Sequence, residues 1–366
     1  MDLFAVCAPG LEPVLEAELT ALGMRARSVP GGAELEGDSR DVERLNLWLR
    51  TASRVLVRLG QVKATSFAEL VRKARTLPFE TVARRGEPVA IRVTCHKSRL
   101  YHSGAVAQRL RESLQERLGG AVPQADDDEE VAQPAQLLLA RFDHDVCTVS
   151  ADSSGALLHR RGYRLAQSQA PLRETLAAAV LLAAGYTGAE PLLDPLCGSA
   201  TIPIEAALIA LRRAPGLTRD FAFQRWPGHD AQRFAALRAQ ARDQELLRAS
   251  AAIAGSDADA AAVAAARENA RRAGVAGDLR LDEALLREAH AAAPAPGLIA
   301  TNPPYGVRLR GDLPHLYGEL GDLARRSGYR VAALIADRRV AQRSGLAWKP
   351  LLRTQNGGLK VELLAT

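Results

Sequence analysis

At 366 residues the chain exceeds one typical domain, and two or three are expected. With 47% apolar, 25% charged and only 4% aromatic residues, frequent Ala-rich stretches favour helices layered on a sheet over an all-β fold. The net charge of +6 is unevenly placed, because Ser53–Ala125 carries fourteen Lys/Arg against five Asp/Glu while the remainder is slightly acidic. Four dispersed cysteines without a Cys-x-x-Cys pair argue against a zinc site or disulfide framework and for a reducing, cytoplasmic setting. Met1–Gly10 lacks the blocks of a signal peptide. Leu176–Ala184, the longest apolar run of note, is too short to span a membrane.

In chain order, Leu11–Leu22 repeats apolar residues at helical spacing and is closed by Gly23. Ala33–Gly37 alternates like a strand, and Asp41–Ser53 reads as a second amphipathic helix. The basic block follows, with strands at Val55–Leu59 and Val89–Thr94 and helices at Phe67–Leu77 and Gly104–Leu118. Its cations, among them Arg84, Arg85, Lys97 and Arg99, suggest a polyanion partner, although a solvated charged face is the common alternative. His96 and His102 have no acidic or cysteine partner at ligand spacing. They read as surface or phosphate contacts, and no metal is expected. Asp126–Glu130 is an acidic loop, and Leu137–Phe142 with Val146–Ser150 a hairpin. Asp152–Ala170, which contains Arg160 and Arg161, reads as a polar linker whose arginines face either RNA or surface ion pairs.

From Pro171 the pattern becomes βαβ. Glu174–Ala184 is a helix, Pro191–Asp194 a strand, Cys197–Thr201 a small-residue turn and Ile202–Leu211 a helix. Such a turn lets backbone approach a ligand at a helix N-terminus. Further strands are expected at Ala251–Gly255, Leu279–Asp282, Gly297–Ala300 and Arg330–Ala336, with a helix at Asp259–Ala273 and a hairpin at Leu351–Leu364. Asp194, Asp257 and Asp282 end three of these strands, at the edge where α/β sheets bind ligands. A dinucleotide is improbable there. The Gly-x-Gly-x-x-Gly fingerprint is absent, and Asp257 lies 59 residues past Gly198 rather than roughly 20.

Thr301 leads into Asn302-Pro303-Pro304-Tyr305-Gly306. An Asn carbonyl accepts a hydrogen bond from an exocyclic amine. Two prolines hold the backbone without donating, and a Tyr ring can stack on an extruded base. Alone the stretch reads equally as a rigid turn. Cys197 is a possible nucleophile for attack on a pyrimidine ring. It sits in the ligand turn, however, and direct transfer to nitrogen needs positioning rather than a covalent intermediate.

Together, Gly162-Tyr163-Arg164, Pro171–Ala179, Leu193–Ser199, Gly255-Ser256-Asp257 and Asn302–Gly306 resemble the THUMP-domain class I methyltransferases, nearest to bacterial enzymes forming N2-methylguanosine in 23S ribosomal RNA. The resemblance implies an α/β fold in which a Rossmann-like seven-stranded methyltransferase domain is preceded by ferredoxin-like and THUMP α+β domains. Boundaries are expected at 1–54 (ferredoxin-like), 55–152 (THUMP, RNA-binding), 153–170 (linker) and 171–366 (catalytic), with residues 1 to about 152 expected to bind RNA without the catalytic domain. It implies S-adenosylmethionine as cofactor, RNA as partner and a cytoplasmic monomer. Longer fused members of the family carry a second methyltransferase, whereas this sequence shows one. By the same resemblance Thr175, Asp194, Cys197, Gly198, Ser199, Ala200 and Thr201 border the methionine part, Asp257 holds the ribose and Asp282 the adenine. Asn302 and Pro303, with Pro304, hold the amine beside the cofactor, and Tyr305 stacks on the base. From the charge placement, Arg84, Arg85, Lys97, Arg99, Arg160 and Arg161 are the expected RNA contacts. The alternatives are guanine in the tRNA acceptor stem, adenine N6, and a catalytically silent RNA-binding assembly factor. Where the family has Gly-Ser-Gly-Thr, this chain has Ala200, whose methyl would crowd the cofactor or demand a negative φ; as the smallest replacement it is expected to be accommodated, at some cost in affinity.

Overall fold

The computed structural model of the chain describes residues 1–125, 135–164, 172–291, 293–294, 296–304 and 313–366. Its first half builds one seven-stranded sheet from β1 (Asp2–Val6), α1 (Glu12–Ala21), β2 (Ala26–Val29), β3 (Gly32–Glu36), α2 (Ser39–Trp48), β4 (Arg54–Lys63), α3 (Phe67–Ala74), β5 (Val89–His96), α4 (Ser103–Leu118), β6 (Gln136–Asp143) and β7 (Val146–Asp152). The order is β2-β3-β1-β4-β7-β6-β5. β4 is the joint, pairing with β1 through Arg54–Arg58 and with β7 through Leu56–Lys63. The sheet therefore runs unbroken across residues 54 and 55. Helix α2 begins earlier than its apolar spacing suggests, because the Asp38 carboxylate caps Arg40 N and Asp41 N. It also ends earlier, because Glu18 takes the N–H groups of Arg50 and Thr51 at 2.8 and 2.9 Å.

The second half comprises α5 (Glu174–Ala183), β8 (Leu192–Asp194), α6 (Thr201–Ala210), α7 (Ala231–Asp243), β9 (Ile253–Asp257), α8 (Ala260–Arg272), β10 (Leu279–Glu283), β11 (Leu298–Thr301), α9 (Leu313–Ser327), β12 (Arg330–Ile335), α10 (Arg338–Ala341), β13 (Lys349–Asn356) and β14 (Leu359–Ala365). Its sheet runs β10-β9-β8-β11-β12-β14-β13. The first five strands are parallel and β14 opposes both of its neighbours. The chain winds outward from β8 to β10, then returns to β11 beside β8. That reversal opens a crevice at the strands' carboxyl ends.

The stretch after β7, expected as a linker, is interior over its described part. Ser153 Oγ donates to Val55 O at 2.6 Å and Ser154 Oγ to Asn46 Oδ1 at 2.6 Å. Leu158 and Tyr163 are buried. Arg54 pairs with Asp152, both within the core. Hydrogen-bonded partners let these polar residues leave water. One apolar cluster joins Leu3, Leu15 and Leu45 to Leu176, Leu181 and Ile204. Because the halves share this core, residues 1–152 alone would bare it, contrary to the expectation of a separable binding module. No helix among the described residues is long and apolar enough to cross a membrane.

Candidate active site

Three strand ends converge on the crevice. Asp194, at the end of β8, accepts from the Thr301 hydroxyl at 2.7 Å and from Leu196 N at 3.2 Å. Burial pushes its carboxyl up to about 7, against those two donors, and the nearby charge of Asp257 adds to the rise. Asp257 ends β9. Its Oδ2 accepts from Gly198 N at 2.8 Å and its Oδ1 from Asp259 N at 3.0 Å. The Cys197–Ala200 turn is thus held against β9, and Cys197 N also donates to Ser256 O at 2.9 Å. At Gly198, with φ +52°, an added Cβ would meet nothing within 4 Å. The backbone there borders open space that a ligand can fill. Ser256 Oγ is buried without a partner among the described residues. Asp282, one strand further out, is half-exposed and pairs with Arg280 at 2.6 Å.

Ala200 adopts φ +63°, so the negative φ anticipated from its sequence is not what occurs. Its methyl is fully buried in the core cluster rather than in the crevice, so it does not crowd a ligand. A left-handed L-residue costs about 1–2 kcal/mol. The buried methyl returns about 0.8 kcal/mol, and alanine's stiffer unfolded chain about 0.4–1 kcal/mol. These terms nearly cancel. Ala200→Gly should shift urea-denaturation stability by less than ~1 kcal/mol.

Cys197 is buried, and burial with the two nearby aspartates pushes its thiol well above the ordinary range. It stays a protonated packing group and not a nucleophile. Thr175 is buried in the first turn of α5, beside Glu174, whose carboxylate lies 3.5 Å from Arg164. Arg164 Nη2 also donates to Thr201 Oγ1 at 2.6 Å. Asn269 Nδ2 donates to Ser199 O at 3.1 Å. Thr301, Arg164 and Asn269 are positioning residues that sequence reasoning missed. Thr301 carried a signal as the residue directly before the Asn-Pro-Pro stretch, and Arg164 as part of Gly162-Tyr163-Arg164.

That stretch leaves β11 at the same edge. Pro303 is buried and Asn302 half-buried, with Asn302 Oδ1 enclosed and without a hydrogen-bond partner among the described residues. An enclosed carbonyl oxygen lacking a donor is costly unless a ligand supplies one. Tyr305 lies outside the described residues.

The expected RNA contacts do not form one patch. Arg84 and Arg85 precede β5, and Lys97 and Arg99 follow it. An eight-residue strand separates the pairs by roughly 26 Å. Arg84 donates to Arg225 O at 3.1 Å, tying it to the second half. Arg160 is partly buried. Arg161 is a correction, since only 4% of it is exposed. It donates to Arg50 O at 2.6 Å and lies 3.5 Å from Glu205, so no RNA can reach it. At the far end of β5, Lys97 and Arg99 stand with exposed Tyr101 and His102, whose rings are 4.3 Å apart. The register there pairs His96 with Asp143. His96, Asp143 and His144 place one ligand atom each within 4.8 Å, an acidic partner that linear spacing concealed.

Residues 161–347 match the family described as "RMKL-like, methyltransferase domain", and residues 2–56 match the "RlmL ferredoxin-like domain". A "Ribosomal RNA large subunit methyltransferase K/L" of Syntrophotalea carbinolica is 36% identical over 379 residues, covering all of this chain. The chain spans only 53% of that relative's length. A Synechocystis protein named "Putative RNA methyltransferase slr0064" is 33% identical, with 99% of this chain and 95% of that protein covered. The crystal structure of "SMU.472, a putative methyltransferase complexed with SAH" superposes with a TM-score of 0.89 at 30% identity. It covers all of this chain and 97% of that one.

Proposed function

The chain belongs to the family of RMKL-like methyltransferases, with S-adenosylmethionine as methyl donor, and we propose that it methylates the N2 amine of a guanine in large-subunit ribosomal RNA. The observation that carries the reading is Asn302 Oδ1, an enclosed acceptor without a donor among the described residues, at the carboxyl end of β11. An exocyclic amine is the donor it lacks. Pro303 contributes a carbonyl and no N–H, and Tyr305 stacks on the extruded ring. The ribosomal substrate follows the Syntrophotalea relative. Residues 55–152 act as the THUMP RNA-binding unit, with Lys97, Arg99 and Tyr101 at its leading end. Four free cysteines suit a cytoplasmic setting. Methyl transfer from labelled S-adenosylmethionine to RNA from a strain lacking the gene tests the reading.

The cofactor supplies an electrophilic methyl group, and the residues present fit it. Gly198 leaves its flank open, Asp257 presents a carboxylate for ribose hydroxyls, and Asp282 serves the adenine amine. Asp194, Thr175 and the Cys197–Thr201 turn border the cationic methionine end. Asp257→Ala should weaken cofactor binding by about 1.5–3 kcal/mol, measurable by calorimetry.

Asp194 gives that binding a pH dependence. Its carboxyl titrates near 7 in the free protein, and a cationic ligand beside it favours the ionised form. Protons therefore compete with the ligand below that value and not above it. Affinity should be about tenfold weaker at pH 6 than at pH 8, and Asp194→Asn should flatten the profile.

A further inference from the structure

We propose that a hollow beside the C-terminal hairpin holds a backbone phosphate of the RNA substrate, an inference that rests on the RNA reading above. The hollow, of about 470 Å³, lies between the Pro9–Gly10 loop, the end of β12 and the β13–β14 pair. Its rim carries Arg338, Arg353 and Lys360 against one carboxylate, Glu362. Glu362 sits between the two arginines, accepting from Arg338 Nε and ion-paired with Arg353, whose Nε lies 2.8 Å away. Both guanidinium groups are thereby held through Nε, and their Nη groups have no hydrogen-bond partner among the described residues. Exposed Lys360 has none either.

A second observation is independent of charge. Thr354 lines the hollow, is 5% exposed, and its Oγ1 is enclosed without a hydrogen-bond partner among the described residues. A hydroxyl, an ammonium and guanidinium N–H groups together suit the several acceptor oxygens of a phosphate. The wall is fixed, because Gly10 packs so closely on β13 that a Cβ there would lie 1.6 Å from Arg353 O.

Position identifies the ligand as nucleic acid rather than an acidic protein. β12 parallels β11, and Ile335, its last residue, is opposite Glu362 of β14. The hollow therefore lies on the same sheet edge as Asn302, one to three strand spacings of about 4.8 Å away. That offset is at most about four stacked nucleotides, at roughly 3.4 Å each. A strand whose base reaches Asn302 lays a neighbouring phosphate over these cations.

The test is the full-length double variant Lys360→Gln/Arg353→Gln, in which Glu362 keeps Arg338. A fluorescein-labelled single-stranded RNA of about 20 nucleotides is titrated at several salt concentrations. The variant should bind about tenfold more weakly at low salt, and its slope of log affinity on log salt should fall by about 0.7, the share of one phosphate contact. With methyl-accepting RNA, KM should rise while kcat and cofactor affinity hold. Thr354→Val should also raise KM without lowering the melting temperature. Wild-type affinity and slope in the double variant would overturn the subsite. If RNA binding falls as expected but the wild-type protein methylates no RNA, the subsite stands and the methylation reading falls.

Discussion

Asn302→Ala should slow methyl transfer by about 10²–10³ in single-turnover assays, by analogy with removing one preorganised hydrogen-bond partner of a transition state. A guanine amine is a poor nucleophile because its lone pair is delocalised into the ring. In the proposed reaction Asn302 Oδ1 and the Pro303 carbonyl would each accept one N–H, draw the nitrogen out of the ring plane and turn its lone pair toward the methyl donor. Those bonds strengthen as the nitrogen gains positive charge, so they favour the transition state over the bound substrate. Asn302→Asp keeps an acceptor at that position and should retain more activity than the alanine variant. Cofactor affinity, read by calorimetry, should change little in either. Wild-type rates in Asn302→Ala would remove this residue from the chemistry.

Arg54→Met should destabilise the protein by about 3–5 kcal/mol in urea denaturation, because it strands a buried carboxylate. Asp152 is fully enclosed at the end of β7. It pairs with Arg54, which also donates to Gly155 O at 2.7 Å. The Asp152 carbonyl accepts from Gln136 Nε2 at 3.0 Å, and Gln136 Oε1 accepts from Trp226 Nε1 at 2.7 Å. The pair therefore sits where the first sheet meets the second half. Replacing both partners with apolar residues, Arg54→Met/Asp152→Leu, should recover much of the loss, since no unpaired charge remains. Equal losses in the single and double variants would show that packing, not the stranded charge, sets the effect.

The periodic elements were legible in the sequence because each buries one apolar face. Leu11–Leu22 announced α1, and the alternation in Ala33–Gly37 announced β3. The acids at the ends of β8, β9 and β10 were legible for a related reason, since short apolar runs ending in Asp mark strand termini. What stayed hidden depends on partners distant in sequence. α7 buries only Phe234 and Ala241, too little to set a period. The segment around Arg160 and Arg161 reads as a solvated linker because of its charges. Arg161 is interior because Glu205 and the Arg50 carbonyl, far away in the chain, satisfy its guanidinium. The same holds for Thr301, whose role emerges only when β11 is laid beside β8 and its hydroxyl meets Asp194. Ala200 shows the opposite case. The departure from Gly-Ser-Gly-Thr was visible in the sequence, but its consequence depended on the side of the turn its methyl would face.

The central claim is that Asn302 and its neighbours methylate a guanine amine in ribosomal RNA. The most direct measurement is mass spectrometry of nucleosides from 23S ribosomal RNA and tRNA, isolated from a strain lacking the gene and treated with the purified protein and isotopically labelled S-adenosylmethionine. The account predicts labelled N2-methylguanosine in the 23S fraction, lost with Asn302→Ala. Label in N6-methyladenosine, label confined to tRNA, or no labelled nucleoside at all would contradict it.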